Sequence, residues 1–302
     1  MKKKLVLIDT FNFLHRAFHA LPKTFTDAEG NPTNAVYGVT SMLINLFDTL
    51  KPDYVVAAMD SLEPTFRVVD YTGYKAHRKP MDEDLASQIP KVLEIIRAFG
   101  VKDIQINGYE ADDIIGTLAT VHDGDLEVVI VSNDRDLWQL VTDDVKVMVP
   151  TKGNGVDWIG PNEVVTRMGF TPQQLIDYKA LRGDPSDNIP GVYGVGEKTA
   201  KKLIESYGSV EEIYKHIGEI KPDSLKEKLA NNAEEAVLSK HLATIITDIE
   251  MNHDIEDCKY SDFNRAMVKD VLLKYRFKSL IKRLGFEEKK EQEIDENQLS
   301  LL

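Results

Sequence analysis

Val128-Val129-Ile130-Val131-Ser132-Asn133-Asp134-Arg135-Asp136 is a run of four branched aliphatic residues that ends on two carboxylates. A short, continuous apolar run bounded by polar residues reads as a strand buried on both faces. The same pattern recurs upstream. Leu5-Val6-Leu7-Ile8 ends in Asp9, and Val55-Val56-Ala57-Ala58-Met59 ends in Asp60. Ile104-Gln105-Ile106-Asn107-Gly108-Tyr109 leads into Glu110, Asp112 and Asp113. Strands are therefore predicted at 5–8, 54–59, 103–106, 128–131 and 145–149. Helical patterns at 13–21, 36–50, 85–99, 111–121 and 137–141 fall between them. This alternation predicts an α/β domain with a mostly parallel central sheet covered on both faces, which binds ligands at the carboxyl ends of its strands. From about Pro161 the strands stop, and short helices separated by Gly and Pro take over. The chain thus divides into an α/β part (1–160), an all-helical part (161–286) and a polar, acidic tail (287–302) expected to be disordered. No tandem repeat is present.

With 302 residues, 42% of them hydrophobic and 29% charged, the chain has the composition of a soluble globular protein with a sizeable core. No apolar run approaches the ~20 residues of a membrane span, so no membrane partner is expected. The apolar stretch behind Met1-Lys2-Lys3-Lys4 breaks at Asp9 and is too short for an export signal. The single cysteine, Cys258, rules out an internal disulfide framework and a Cys-based zinc site. A cytoplasmic location is expected.

One carboxylate after a strand is ordinary, because Asp often caps the next helix. Carboxylates after four parallel strands must gather on one rim, where uncompensated charges repel strongly. Something positive has to sit among them. Without a Cys cluster or regular His spacing, oxygen-ligated Mg²⁺ or Mn²⁺ is the natural filler. Two such ions about 4 Å apart activate a water and neutralise a leaving oxygen, which points to a metal-dependent phosphodiesterase.

Further blocks appear in order: Thr65-Phe66-Arg67, Tyr74-Lys75-Ala76-His77-Arg78, Gly108-Tyr109-Glu110-Ala111-Asp112-Asp113, Asp134-Arg135-Asp136-Leu137 and Gly183-Asp184-Pro185-Ser186-Asp187-Asn188-Ile189-Pro190-Gly191. Together with Ile8-Asp9 they resemble the 5′ nuclease family, which comprises the 5′–3′ exonuclease domain of bacterial DNA polymerase I and its flap-endonuclease relatives. The resemblance runs from about residue 4 to 285. It implies a PIN-like α/β fold with a helical arch over the metals, placed at 63–90, and then a DNA-binding helical part. It also implies a structure-specific nuclease of replication and repair, acting on nicks, 5′ ends and flaps of DNA and on RNA primers, as a monomer in the bacterial nucleoid.

The resemblance adds Asp184 and Asp187, three apart and expected on one face of a helical turn, to the metal set. The nine candidates are Asp9, Asp60, Glu110, Asp112, Asp113, Asp134, Asp136, Asp184 and Asp187. Asp9, Asp60, Glu110, Asp112 and Asp134 are assigned to one side of the site, and Asp136, Asp184 and Asp187 to the other, with Asp112 and Asp134 central to catalysis. These nine and the tail (net −4) account for the formal charge of −13, so the rest of the chain is neutral. Lys75 and Arg78, spaced i, i+3 as if on a helix, are implied to grip the scissile phosphate, and Tyr74 to stack on a base. Arg16 and Arg67 are further phosphate-contact candidates, with an ion pair to the acidic rim as the alternative.

Gly191-Val192-Tyr193-Gly194-Val195-Gly196-Glu197-Lys198-Thr199-Ala200-Lys201-Lys202 reads as a helix-hairpin-helix within 186–207. Gly191, Gly194 and Gly196 permit a tight turn before a helix N-terminus, an anion site for a backbone phosphate. Thr199, Lys198, Lys201 and Lys202 follow as duplex anchors. The resemblance implies a K⁺ ion there. Thr10, Phe11, Asn12 and Asn133 stand where the family usually has small residues, which leaves substrate preference open. At the end, Gln298-Leu299-Ser300-Leu301-Leu302 resembles the peptide by which bacterial replication proteins bind the sliding clamp. Gln298, Leu299, Leu301 and Leu302 are the expected contacts.

Overall fold

The computed structural model describes residues 2–286, except 152–154, 252–253 and 261. The expected acidic tail and its clamp-binding residues Gln298, Leu299, Leu301 and Leu302 lie outside the described residues. One sheet holds β1 (Lys4–Asp9), β2 (Tyr54–Met59), β3 (Lys102–Gln105), β4 (Glu127–Val131), β5 (Val145–Pro150) and β6 (Val156–Ile159), in the spatial order β3-β2-β1-β4-β5-β6. The first five strands are parallel, and β6 runs antiparallel to β5. The sequence reading missed β6. Only Ile159 of its four residues is buried, so this edge strand lacks the continuous apolar run that marks β1, β2, β4 and β5.

Fourteen α-helices and three short 3₁₀ helices (Asp136–Leu140, Ile217–Glu219 and Ile255–Cys258) complete the described chain. Within the α/β part the α-helices are α1 (Thr10–Ala20), α2 (Asn34–Leu50), α3 (Phe66–Asp70), α4 (Glu83–Ala86), α5 (Ile89–Ala98) and α6 (Ala111–Val121). Then follow α7 (Pro161–Met168), α8 (Gln174–Arg182), α9 (Glu197–Tyr207), α10 (Val210–Lys215), α11 (Asp223–Asn231), α12 (Ala233–Ala243), α13 (Arg265–Lys274) and α14 (Lys278–Arg283). The helix expected over 85–99 is broken into α4 and α5. Pro90 sits in the first turn of α5, where its missing N–H costs nothing but a continuous helix is interrupted. At the break, the fully buried Gln88 turns inward, and its Oε1 accepts from the N–H groups of Ala35 (2.8 Å) and Val36 (3.3 Å) at the start of α2.

The double burial of β1 explains its unbroken apolar run. Leu5 and Leu7 pack on one face with Ile114, Leu118, Leu181 and Leu203, while Val6 and Ile8 pack on the other with Phe13, Leu43, Ile95 and Leu272. The helical part therefore serves both faces. Helices α8–α10 and α12 cover the α6 side, and α13 and α14 return to the α2 and α5 side.

Strand order places the rim. The chain winds outward from β1 through β2 to β3, then returns to the other side of β1 for β4 and β5. The carboxyl ends of β1 and β4 thus flank the point where winding reverses, the natural ligand crevice of an open α/β sheet. Ile8 lies opposite Val131, and Asp9 lies opposite Ala58. Asp9, Asp60 and the 132–136 loop therefore leave the sheet at one level.

Candidate active site

Asp9 ends β1 and caps α1, with Oδ1 accepting from the Asn12 N–H at 3.0 Å and Oδ2 from the Ser132 hydroxyl at 2.8 Å. Burial, with Asp60 and Asp134 nearby, lifts its carboxyl to about 7 against these two stabilising donors. Asp60 accepts from Ala111 N–H at the start of α6 (2.8 Å), and Asp134 accepts from Asp136 N–H (2.9 Å). Asp112, in the first turn of α6, is pushed well above the usual carboxylate range by burial and by Asp134 and Asp9. These groups, with Glu110 and Asp187, line a cleft of about 740 Å³ whose other walls are Phe11, Asn12, His15, Met81 and the cations Lys75, Arg78 and Lys79.

A second cleft of about 580 Å³ adjoins it, sharing Asn12 and Asp134. It holds Asp136, Asp184 and Lys179. Sequence reasoning missed Lys179. This buried lysine bridges Asp136 and Asp184, lying 2.5 Å from Asp184 Oδ2. Burial raises the Asp136 carboxyl to about 6 although Lys179 opposes the rise. Against the same upward push of burial, Lys179 and Ser186 hold Asp184 down to about 2. A lysine four residues after Leu175, on the packed face of α8, was the available signal, since a buried cation needs an acidic partner.

Four expectations need correction. Asp113 and Arg67 leave the rim for the core. Arg67 is 2% exposed and Asp113 0%, and the guanidinium donates to both Asp113 oxygens at 2.8 Å. Two more of its N–H groups reach the Leu242 carbonyl (2.9 Å) and the Thr244 carbonyl (2.8 Å). Four of its five N–H donors are thus spent inside the core and Nη1 also lies 3.6 Å from Glu110 Oε2, so Arg67 is the structural ion pair rather than a phosphate contact. Tyr74 cannot stack on a base as placed, because it is 4% exposed and its single hydroxyl proton is shared between Glu110 and Asp187, each 3.1 Å away. Residues 63–90 form two short helices and a run of turns, not a continuous helical arch. Lys75 adopts left-handed backbone (φ 53°) in those turns, so a helix does not aim it with Arg78. Their convergence comes instead from the partners: Lys75 Nζ reaches Glu110 Oε2 at 2.9 Å, and Arg78 reaches Asp187 Oδ1 at 2.5 Å. Finally, Asp184 and Asp187 occupy a turn rather than a helix, and it sends them into different clefts. Asp187 therefore groups with Asp9, not with Asp136.

The donor set suits a hard divalent cation: carboxylate oxygens throughout, with no thiolate and no imidazole bonded among them. Its frustration points the same way, since Asp9 and Asp112 carry raised pKa values that a nearby cation would relieve. Among the described residues, no group of three or more Asp, Glu, His or Cys side chains is gathered closely enough to hold an ion as it stands. Lys75, Arg78 and Lys179 supply positive charge within the set instead. The nine residues are thus a divided acidic rim rather than one ready ligand shell.

Farther out, Arg16 on α1 donates to the Thr151 carbonyl at 2.8 Å. The hairpin lies between α8 and α9. Gly183 and Gly191 sit back to back with positive φ (76° and 66°), and a Cβ on Gly191 would fall 2.2 Å from the Gly183 nitrogen. Only glycine fits this crossing. Gly194 (φ 77°) forms the tip beside the 82%-exposed Tyr193, and Gly196 caps α9. Lys198 and Lys202 are exposed, Lys201 pairs with Glu197 at 2.9 Å, and Thr199 is half-buried. Lys228 of α11, not singled out in the sequence, lies alongside Gly194.

Residues 4–169 match the model of the 5′-3′ exonuclease N-terminal resolvase-like domain, and residues 170–266 that of the 5′-3′ exonuclease C-terminal SAM fold. The chain is 44% identical over 289 residues to DNA polymerase I of Caldicellulosiruptor bescii, covering 94% of this chain and 34% of that protein. With DNA polymerase I of Bacillus subtilis it shares 41% identity over 298 residues, covering 98% and 34%. It spans about a third of the length of these relatives. Among solved structures, a bacteriophage T5 flap endonuclease complex with DNA and metal ions has the same fold (TM-score 0.68, 20% identity, 91% of this chain and all of that one). So does the catalytic core of Rad2 in complex with DNA (TM-score 0.62, 16% identity, 94% and 92%).

Proposed function

Because the chain belongs to the 5′-3′ exonuclease family, we propose that it hydrolyses phosphodiester bonds at 5′ ends, nicks and flaps of DNA, and in RNA primers, during replication and repair. The observation that carries this reading is the placement of Lys75 and Arg78. They line the same cleft as the acidic rim at the reversal point of the sheet and pair directly with two of its carboxylates, Glu110 and Asp187.

Two or more Mg²⁺ or Mn²⁺ ions would supply the charge that polarises the scissile phosphate and lowers the pKa of the attacking water. Asp9, Asp60, Glu110, Asp112, Asp134 and Asp187 would hold them in the larger cleft, with Asp136 and Asp184 acting from the smaller one. Lys75 and Arg78 exchange their carboxylate partners for the phosphate. Arg78 offers a planar fork and Lys75 a point charge, and both stabilise the charge that grows as water adds to phosphorus. The bond to the 3′ oxygen breaks, leaving a 5′-phosphate and a 3′-hydroxyl. Tyr74 holds Glu110 and Asp187 together from beneath. The hairpin around Gly194, with Lys198, Lys202 and Lys228, binds the duplex backbone without base preference, aided by K⁺. The protein acts as a cytoplasmic monomer, and Gln298, Leu299, Leu301 and Leu302 tether it to a sliding clamp.

Cleavage of a labelled 5′-flap duplex and of single-stranded RNA, with and without Mg²⁺, tests the proposal. Mg²⁺-dependent cleavage at the flap junction is the expected result. Cleavage of the RNA alone, or tight flap binding without cleavage in Mg²⁺ or Mn²⁺, would overturn it.

A further inference from the structure

The β1–β4 ladder ends where Ile8 lies opposite Val131, so no main-chain pairing holds Asp9 against Asp134. Side chains continue the pairing beyond that point. Ser132 is fully buried, its hydroxyl donates to Asp9 Oδ2 at 2.8 Å, and its oxygen accepts from the Asp134 N–H at 3.0 Å. A backbone N–H only donates, so the Ser132 oxygen accepts from Asp134 and its own proton is free to reach Asp9. One hydroxyl thus ties the acid after β1 to the backbone carrying the acid after β4. Asn12 works from the other side. Its N–H donates to Asp9 Oδ1 at 3.0 Å, and its side-chain oxygen accepts from the Asn133 N–H at 3.0 Å. Both Asp9 oxygens are therefore oriented by protein donors, while each keeps a lone pair for the cleft.

We propose that Ser132 and Asn12 are positioning residues, a clasp that ties Asp9 to the backbone carrying Asp134 at the cleft where divalent cations would bind. The inference rests on reading the cleft as the metal-dependent nuclease site. It also gives a role to Asn12, which stands where the family usually has a small residue. Groups that orient a metal ligand typically change ion affinity about 10–100-fold when removed.

The test uses the whole chain and Mn²⁺ alone, titrated by calorimetry, beside single-turnover flap cleavage and thermal unfolding. Ser132→Ala is expected to weaken Mn²⁺ uptake and cleavage by roughly 10–100-fold, while Ser132→Thr, which keeps the hydroxyl, restores most of both. Asn12→Ala, which keeps its own N–H on Asp9, is expected to lose less. Wild-type Mn²⁺ affinity in Ser132→Ala, or Ser132→Thr as weak as Ser132→Ala, would overturn the clasp. Should Ser132→Ala fail to fold, Asn12→Ala decides: reduced Mn²⁺ affinity at an unchanged unfolding temperature supports the clasp, and wild-type affinity overturns it. The expected Mn²⁺ pattern without cleavage of any flap would support the clasp and overturn the nuclease reading alone.

Discussion

Asp112 and Asp113 are neighbours in the first turn of α6, about 100° apart around its axis. That rotation sends them into opposite environments. Asp113 points into the core, where Arg67 takes both its oxygens and the N–H groups of Glu110 (3.1 Å) and Ile246 (2.9 Å) add further donors. Asp112 points into the larger cleft, where burial and the charges of Asp134 and Asp9 raise its pKa against the opposing charge of Lys75. Two identical side chains thus divide the work. The satisfied one holds α3, α6 and the segment after α12 together. The frustrated one costs stability, as groups kept for function often do.

The largest effect expected from breaking this division is on catalysis. Asp112→Asn should lower flap cleavage by orders of magnitude, as the loss of a ligand to catalytic metal does. Its thermal stability should equal or exceed that of wild type without divalent ion, because the change removes a carboxylate whose charged form the fold disfavours. Mn²⁺ should raise the unfolding temperature of wild type more than that of Asp112→Asn. Equal activity in the two proteins would remove Asp112 from the site.

Asp113→Asn reverses the pattern. It leaves Arg67 buried without its counter-charge, so urea unfolding should show a loss of about 3–5 kcal/mol. A loss under about 1 kcal/mol, the size for an exposed pair, would contradict the assignment of this ion pair to the core.

The same contrast separates the two groups of cations. Lys75→Ala should reduce the single-turnover rate at saturating enzyme, roughly 10²-fold if it acts as one transition-state donor. Changing Lys198, Lys201 and Lys202 together to Ala should weaken duplex binding and flatten its salt dependence by up to about one unit of slope per lysine. The roles are wrong if the triple variant alone slows the saturated step.

The smallest effect concerns a satisfied carboxylate far from the clefts. Burial pushes Asp27 upward, but Lys91 (2.8 Å) and Asn31 outweigh it and hold the group at about 2, below its ordinary 3.8. A depressed carboxylate stabilises the fold above its unfolded value, and that contribution is lost as pH falls through the folded one. Stability should therefore lose a component between about pH 4 and 2, and Asp27→Asn should remove that component from the unfolding curve.

Much of the architecture was legible in the chain because burial on both faces writes itself as unbroken apolar runs. β1, β2, β4 and β5 could be read that way, whereas β6, an edge strand with one buried residue, left no such mark. Among the site residues, the acids after strands were legible because a parallel sheet brings strand ends to one rim whatever the loops do. The clamp peptide is a sequence resemblance only, lying beyond the described residues.

What residue type and spacing determined by themselves was therefore which groups gather at the carboxyl edge. Which of them face solvent was decided by tertiary structure. The i, i+3 spacing of Lys75 and Arg78 suggested a helix, yet a turn carries them, and Glu110 and Asp187 give them their direction. Asp184 and Asp187 were paired by spacing and parted by the turn that holds them. Arg67 and Asp113 became core, and Lys179 and Ser132 entered the site, through partners tens of residues away or more, joined by the local Lys179–Asp184 and Ser132–Asp134 bonds. The physical reason is that a charge's role depends on how much water it keeps and which opposite charge replaces that water. Both are properties of packing between distant segments, and local sequence carries neither.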